Sequence, residues 1–470
     1  MIQQFADALQ QQYGLYTYKN SITAHGENGV AMSRHVAGHC LAVIGPWVRR
    51  IDQATPHGAF HLAPLNRENA AILMETFPEF APRREGQLGF SMGFGDRLGN
   101  CTPGQLSALP KTGLFPILAQ QSTRELTLTG RDYTDVIADA AFGALRADWR
   151  SGYGADGDHL KTPAEIADAV ARGCTMITLD CSEHIRREVC DDPTAASPIW
   201  QALPEDVRRA YENDYLGDFD RDTLVREVAL YHAAIEHAAT CYAALCRDGE
   251  CTVDFELSID ETTAPTTPEG HLLIARELQR RGIRPHSMAP RFVGAFEKGI
   301  DYVGDTAAFE AQLIQHQAIA DRFGYKLSVH SGSDKFAIFP SAARVCGGRV
   351  HVKTAGTSWL VALTTVAQCD APFFRRLWAH AAANQAHART LYHLSTQWAG
   401  EPDVAALPDM ALPALLTRDN IRQGLHIAYG AILQDPALKA ALFACLARHQ
   451  DALDANLRAH FDRHIGLLAH

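Results

Sequence analysis

The 11 cysteines include no CxxC pair, which leaves no thiolate pairing for a zinc ribbon and no dithiol redox centre. They are scattered singly, and that scatter reads as reduced, buried, small apolar side chains. No GxxxxGK[ST] loop occurs, and Gly89, Gly93, Gly95 and Gly99 do not make a GxGxxG turn, so nucleotide binding has no support. Lys and Arg stay in brief pairs such as Arg280-Arg281 and the formal net charge is −11, which excludes a nucleic-acid partner. No cationic segment leads into an apolar core at the start; residues 1–5 open an amphipathic pattern instead. The apolar stretch 40–48 is broken by Gly45 and Pro46 and is too short to span a bilayer. These absences point to a cytoplasmic protein with no membrane partner.

What the chain does have is length and rhythm. Its 470 residues, 47% hydrophobic and 21% charged, suit a large packed enzyme domain with insertions and not a disordered chain. From about residue 86, short runs rich in Val, Ile, Phe and Thr alternate with helical stretches. Eight such runs occur, at 88–94, 114–120, 152–159, 175–180, 253–259, 285–292, 326–330 and 349–353. Thr162-Pro163-Ala164-Glu165 and Thr267-Pro268-Glu269 have the composition of helix starts, with Gly173 and Gly282 as stops. Eight strand–helix units predict an α/β fold, a TIM-like (β/α)8 barrel, over residues 86–369, with catalytic groups at the carboxyl ends of the strands. An open doubly wound sheet is the rival arrangement. Residues 1–85 read as an N-terminal extension, about 182–250 as a helical insertion, and 370–470 as a helical C-terminal region.

Four predicted strand ends hold unusual polar density. Strand three ends in GADGDHLKT from Gly154, strand five in DFELSIDET from Asp254, strand seven in SVHSGSDKF from Ser328, and strand eight in HVKTAGTS from His351. Alternation places Asp254, Glu256 and Ser258 on one face, Ser328 with His330, and His351 with Lys353. Buried charge there costs several kcal/mol unless it is paired or bound to a metal, and His with carboxylate from several strands is a reasonable divalent-metal site. Asp260 or Glu261 before Thr262 has the alternative task of capping a helix. Ser331-Gly332-Ser333, beside Lys335, and Thr354 to Ser358 before a helix are two candidate anion nests or two ordinary turns. Ser331 lacks the glycine frame of a hydrolase nucleophile.

As a set these motifs resemble the tagaturonate/fructuronate epimerase family. GDRLGNCTPG from Gly95, LAQQSTRELTLTGR from Leu118, GADGDHLKT from Gly154, DETTAPTTPEGH from Asp260, APRFVGAFEKGIDYVGD from Ala289, SVHSGSDKF from Ser328, HVKTAGTSWL from His351 and RQGLHIAYG from Arg422 carry the resemblance. It implies a metal-dependent isomerase acting on ketohexuronates, with fructose and tagatose as further substrates of some members. Tagaturonate and fructuronate differ at a carbon β to the ketone, whose hydrogen is not acidic. Inversion there proceeds by transient oxidation with a nicotinamide or by retro-aldol cleavage and re-addition, and the lack of nucleotide-binding support disfavours the first.

On that reading His159, His330 and His351 are the expected ligands of a divalent ion (zinc, manganese, nickel or cobalt). Asp158 is the expected base, with Glu256 or Glu261 as the partnering acid, and Lys353, Arg291 and Lys335 the groups that meet the sugar acid. Asp158 and His159 are neighbours and alternate on an ideal strand, so both reach the site only if the strand has ended there. A different metal-dependent barrel isomerase or aldolase, and a non-catalytic sugar-binding protein, are the competing classes. Product stereochemistry and metal content separate them.

Overall fold

The computed structural model describes residues 15–35, 38–109, 113–247, 250–392, 394–399 and 401–468. The amphipathic opening at residues 1–5 lies outside them. Eight parallel strands close into a barrel: β1 (Ser91–Phe94), β2 (Phe115–Ser122), β3 (Gly154–Leu160), β4 (Met176–Asp180), β5 (Asp254–Ser258), β6 (Ser287–Ala289), β7 (Lys326–Val329) and β8 (Val350–Thr354). They run round the barrel in sequence order, and β8 closes on β1 through His351↔Ser91 to Thr354↔Phe94. Each expected strand is present, which settles the barrel over the open sheet.

The helices between them start where the side chains dictate. Thr162 and Glu165 form a reciprocal capping box on Pro163–Ala171, and Thr267 caps Pro268–Arg280. Gly324, at φ 78°, ends Thr306–Phe323 in the left-handed region that glycine tolerates. Among the described residues the β4–β5 crossover contains four α-helices, Arg187–Asp191, Ala196–Ala202, Glu205–Tyr215 and Arg221–Leu245. All 11 cysteines are free, and among the described residues no single helix is long and apolar enough to cross a membrane.

Tyr16 to Ala63 build a six-stranded antiparallel sheet beside the barrel. The chain then passes beneath the barrel, where Arg84 pairs with Asp254 and Glu85 accepts hydrogen bonds from Lys326 and His286. Those partners stand at the amino ends of β5, β7 and β6, so this segment closes the floor. At the other end, Arg422 pairs with Asp334 at 2.7 Å and Trp359 Nε1 donates to Leu425 O at 2.9 Å. These contacts fix helix Asp419–Ile427 over the β7–β8 side of the mouth.

The barrel interior is polar where many such barrels pack branched aliphatics. Ser91, Asp156, Thr178, Glu256, Ser287, Lys326, Ser328, His351 and Lys353 are all buried. Two motif spacings fall on this interior without their usual chemistry. Gly89 to Gly93 spells GxSxG, but Ser91 lies within β1, hydrogen-bonded to His351 Nδ1 at 2.8 Å and to Lys326. Gly152 to Gly157 spells GxGxxG, but it runs into β3 instead of opening a helix, so it makes no dinucleotide turn.

Candidate metal centre and active site

Strand β3 does not end before its acidic and imidazole pair. It continues to Leu160 with one extra residue relative to β4, since Gly157 pairs with Ile177 but Leu160 with Leu179. His159 takes up the bulge at φ 58°, a conformation few non-glycine residues adopt. The bulge turns Asp158 and His159 to the same side, and both line a cavity of about 180 Å³ at the barrel mouth.

Three of the groups around that cavity converge. Ligand atoms of His159, Asp260 and His330 lie within 4.8 Å of one another. The two imidazoles are held in the same manner. His159 Nδ1 donates to Asp158 Oδ1 at 2.7 Å, and His330 Nε2 donates to Glu256 Oε1 at 2.7 Å. Each ring thereby keeps one nitrogen for the cluster, and His330 Nδ1 is buried without a hydrogen-bond partner, 3.3 Å from Asp260 Oδ2. Burial opposes charge on His330, yet the flanking Asp260 and Glu256 carboxylates push its pKa up to about 10. An orphaned imidazole nitrogen, a second imidazole and a carboxylate, backed by carboxylates behind both rings, fit a divalent transition ion. A second cluster, Asp334, His460 and His464, does not fit. His464 Nδ1 bonds to His460 O and Nε2 accepts from Asp334 N, while Arg422 occupies Asp334.

This geometry changes several assignments. His351 is not in the cluster: it sits two residues earlier on β8 than Lys353, about 6–7 Å deeper at ~3.3 Å per residue, bonded to Ser91. Burial, with the Lys326 and Lys353 ammonium groups beside it, outweighs Glu256 and pulls it down to about 3. Asp260 stands in the cluster where His351 was expected. Glu256 is buried below the cavity, between His330, Ser287 and Thr178, so it orients His330 and does not meet a ligand.

Asp158 stays on the wall, but Oδ1 is shared by Lys353 at 2.6 Å and His159. Burial raises its pKa; Lys353 and His159 outweigh that and hold it well below the usual carboxylate range, which makes it a poor base. Lys353 is itself enclosed by Asp156, Asp158 and Glu256, at 2.9, 2.6 and 3.0 Å. Lys335 is elsewhere: its ammonium donates to the carbonyls of Glu297, Ile300 and Ser333, which uses all three N–H groups. The peptide of Arg291 is pinned to Thr266, and its side chain does not line the cavity.

Glu261 is different. Among the described residues it is the one cavity carboxylate with no hydrogen bond or ion pair, and it is exposed to the cavity mouth. Other wall residues were not anticipated. Arg97 pairs with Glu125 at 2.7 Å and lies 3.7 Å above the Tyr429 ring. Its NH2 donates to His426 Nε2 at 3.3 Å, and a Cβ on Gly356 would stand 2.1 Å from His426 Cε1, so only glycine fits there. Lys298 and Tyr392 complete the wall. The GDRLGNCTPG and RQGLHIAYG motifs were the available signal for Arg97 and His426, but nothing in their spacing tied them to one cavity.

The UxaE (tagaturonate epimerase) family model matches residues 18–468. A tagaturonate/fructuronate epimerase of Thermotoga maritima is 39% identical over 419 residues, covering 87% of each chain. The crystal structure of fructuronate-tagaturonate epimerase UxaE from Cohnella laeviribosi with one glycerol is 38% identical, with a TM-score of 0.94 over 100% of this chain and 99% of that one. Its native form gives the same TM-score over 99% of each.

Proposed function

The chain belongs to the tagaturonate epimerase family and is a carbohydrate epimerase, and from that premise we propose that it interconverts D-tagaturonate and D-fructuronate by metal-dependent retro-aldol cleavage and re-addition. The neutral pair tagatose and fructose is a secondary substrate on the same reading. The observation that carries it is the paired orientation of His159 and His330, each with one nitrogen on a buried carboxylate and the other turned to Asp260. These three residues would hold zinc, manganese, nickel or cobalt, which when bound supplies Lewis acidity toward a ketone oxygen.

The chain's own groups then have distinct tasks. Asp158 and Glu256 fix the two rings, and Lys353 keeps both carboxylates ionised. Glu261, unencumbered by any partner, takes the hydroxyl proton at the carbon β to the ketone as the bond from that carbon to the α carbon breaks. The bonding electron pair passes into the enediolate of the ketone fragment, and the β carbon becomes an aldehyde. The aldehyde fragment turns, the enediolate adds to its opposite face, and Glu261 returns the proton to the new alkoxide. His426 and Tyr392 line the same cavity.

A panel of uronates and neutral ketoses, assayed after metal depletion and readdition, tests the reading. Activity should vanish with the metal and return with a divalent transition ion, with inverted stereochemistry at one carbon. A fully active preparation holding less than about a tenth of an equivalent of metal rules out the metal requirement.

A further inference from the structure

Five cationic side chains line the cavity: Arg97, Arg124, Lys161, Lys298 and Lys353. Three have carboxylate partners within the protein. Arg97 pairs with Glu125, Lys161 with Glu183, and Lys353 with Asp156, Asp158 and Glu256. Arg124 is at the exposed rim, donating to Leu391 O and stacked 5.2 Å over Tyr392. Lys298 is set deeper, and its ammonium makes one hydrogen bond, to Ser331 Oγ at 2.8 Å, with no ion pair among the described residues. A cation lowered into a cavity with a single neutral acceptor has donors to spare for an anionic ligand.

The surroundings hold Lys298 in place without occupying it. Lys335 donates to the carbonyls of Glu297 and Ile300, on either side of it in the chain. Arg422 Nε donates to Gly299 O at 2.6 Å, and Gln423 Nε2 donates to Glu297 Oε2 at 2.7 Å. On the other side, Ser331 takes φ 51°, and Asp334 φ 61°. Such strained non-glycine conformations persist where the surroundings over-determine them, and they cluster at ligand-binding positions. Ser331 directly follows the metal-centre residue His330, so the Lys298–Ser331 pair is tied to the centre through one peptide bond.

We propose that Lys298, aligned by Ser331, is the seat of the substrate carboxylate and so determines preference for uronates over neutral sugars. This inference rests on the epimerase reading for its substrate class. The ketone end of the sugar acid faces His159, Asp260 and His330, and the carboxylate end reaches the free ammonium. Lys335, one of the three sequence-based candidates beside Lys353 and Arg291, is instead the brace that holds the Lys298 loop.

The test compares tagaturonate with its methyl ester, which keeps the carbon skeleton and removes the charge. Binding of each equilibrated epimer pair is measured by calorimetry on the metal-loaded enzyme, for wild type, Lys298→Gln, Lys298→Arg and Arg124→Gln. Wild type should bind the acid more tightly than the ester, and Lys298→Gln should cut that preference roughly tenfold to hundredfold, the range for one charge-assisted hydrogen bond. Lys298→Arg should restore most of it, and Arg124→Gln should keep it. In turnover, the Lys298→Gln effect should fall on KM for the acid more than on kcat. Metal content and melting temperature close to wild type show that the variant is folded and loaded. A wild-type acid-to-ester ratio in Lys298→Gln, or collapse of the ratio in Arg124→Gln, overturns the proposal. Should wild type bind the acid but epimerise nothing, the epimerase reading falls while the binding ratios still decide the role of Lys298.

Discussion

His330 turns Nε2 to Glu256 Oε1 at 2.7 Å, so Nδ1 is the nitrogen that faces Asp260 and His159. The bond fixes the ring plane before any ligand arrives and leaves Nδ1 as the position from which an ion would displace a proton. Glu256 is wholly buried, and burial alone would raise its carboxyl; Lys353 and His330 outweigh that and hold it well below the usual range, hence ionised. Glu256→Gln keeps the shape and removes the charge. It should weaken metal binding about tenfold to hundredfold, read by competition with a chelator. Unchanged affinity would mean that Glu256 plays no part in presenting the ring.

The cluster itself gives a contrast between two residues. Asp260→Ala, like His159→Ala and His330→Ala, should lose bound metal together with turnover. His351→Gln should keep the metal, because His351 bonds to Ser91 below the site. Metal analysis of purified variants decides the matter; loss of metal in His351→Gln would return His351 to the ligand set.

Much of this fold was legible in the chain, and the reason is local. Most barrel strands announce themselves by a short apolar run, and Thr162 and Thr267 mark helix starts by their own side chains. The site was legible in part. Alternation correctly put His351 and Lys353 on one inward face, but it says nothing of depth, and two residues along β8 separate the floor of the cavity from the layer beneath. The bulge at His159 depends on a backbone conformation that histidine seldom adopts, so the pattern alone could not place Asp158 and His159 together. Lys298 follows the shortest barrel strand in an irregular stretch without periodicity, and His426 arrives from a helix beyond the barrel altogether.

Lys353 offers a prediction about stability. It is enclosed by Asp156, Asp158 and Glu256, so Lys353→Met strands three buried carboxylates. Breaking such a network costs about 3–5 kcal/mol, seen as a lower melting temperature. The sign with pH follows. Without the ammonium, the folded-state carboxyl pKa values rise above their unfolded values, so the penalty is small where the groups are protonated and grows as pH rises. The variant should therefore lose less stability at pH 5 than at pH 8. An equal loss at both would mean the ammonium is not what keeps these groups charged.

The buried histidines predict the acid limb of stability. Burial pulls His351 and His464 down to about 3 and His316 to about 4. A histidine neutral in the fold and titrating near 6.5 when unfolded contributes stability above pH 6.5. That contribution falls as pH drops, because the unfolded chain takes up protons first. Melting temperature should decline between about pH 6.5 and 4, and His464→Gln should flatten that slope by removing one titrating group. A slope equal to wild type in His464→Gln would assign the acid sensitivity elsewhere.

The mechanism makes its own prediction, and it rests on the position of the inverted carbon. That carbon is β to the ketone, and the retro-aldol route breaks its bond to the α carbon while its own hydrogen stays attached. On that route Glu261 would move only the hydroxyl proton. Epimerisation in deuterated water should thus give product with no deuterium at the inverted carbon, read by proton NMR. A nicotinamide route would also retain that hydrogen, so a second measurement is needed. Cleavage makes a three-carbon ketone fragment as its enediolate, equivalent to dihydroxyacetone once protonated. Isotopically labelled dihydroxyacetone, supplied during turnover with the matching aldehyde acid, should enter the product at a low rate, whereas oxidation and reduction at the β carbon never sever the skeleton. Glu261→Gln should slow epimerisation and label entry together, with bound metal retained, since both need the same proton transfer. Stoichiometric deuterium at the inverted carbon would mean direct proton abstraction there, and epimerisation that depends on added nicotinamide would mean redox inversion; either result removes the retro-aldol assignment.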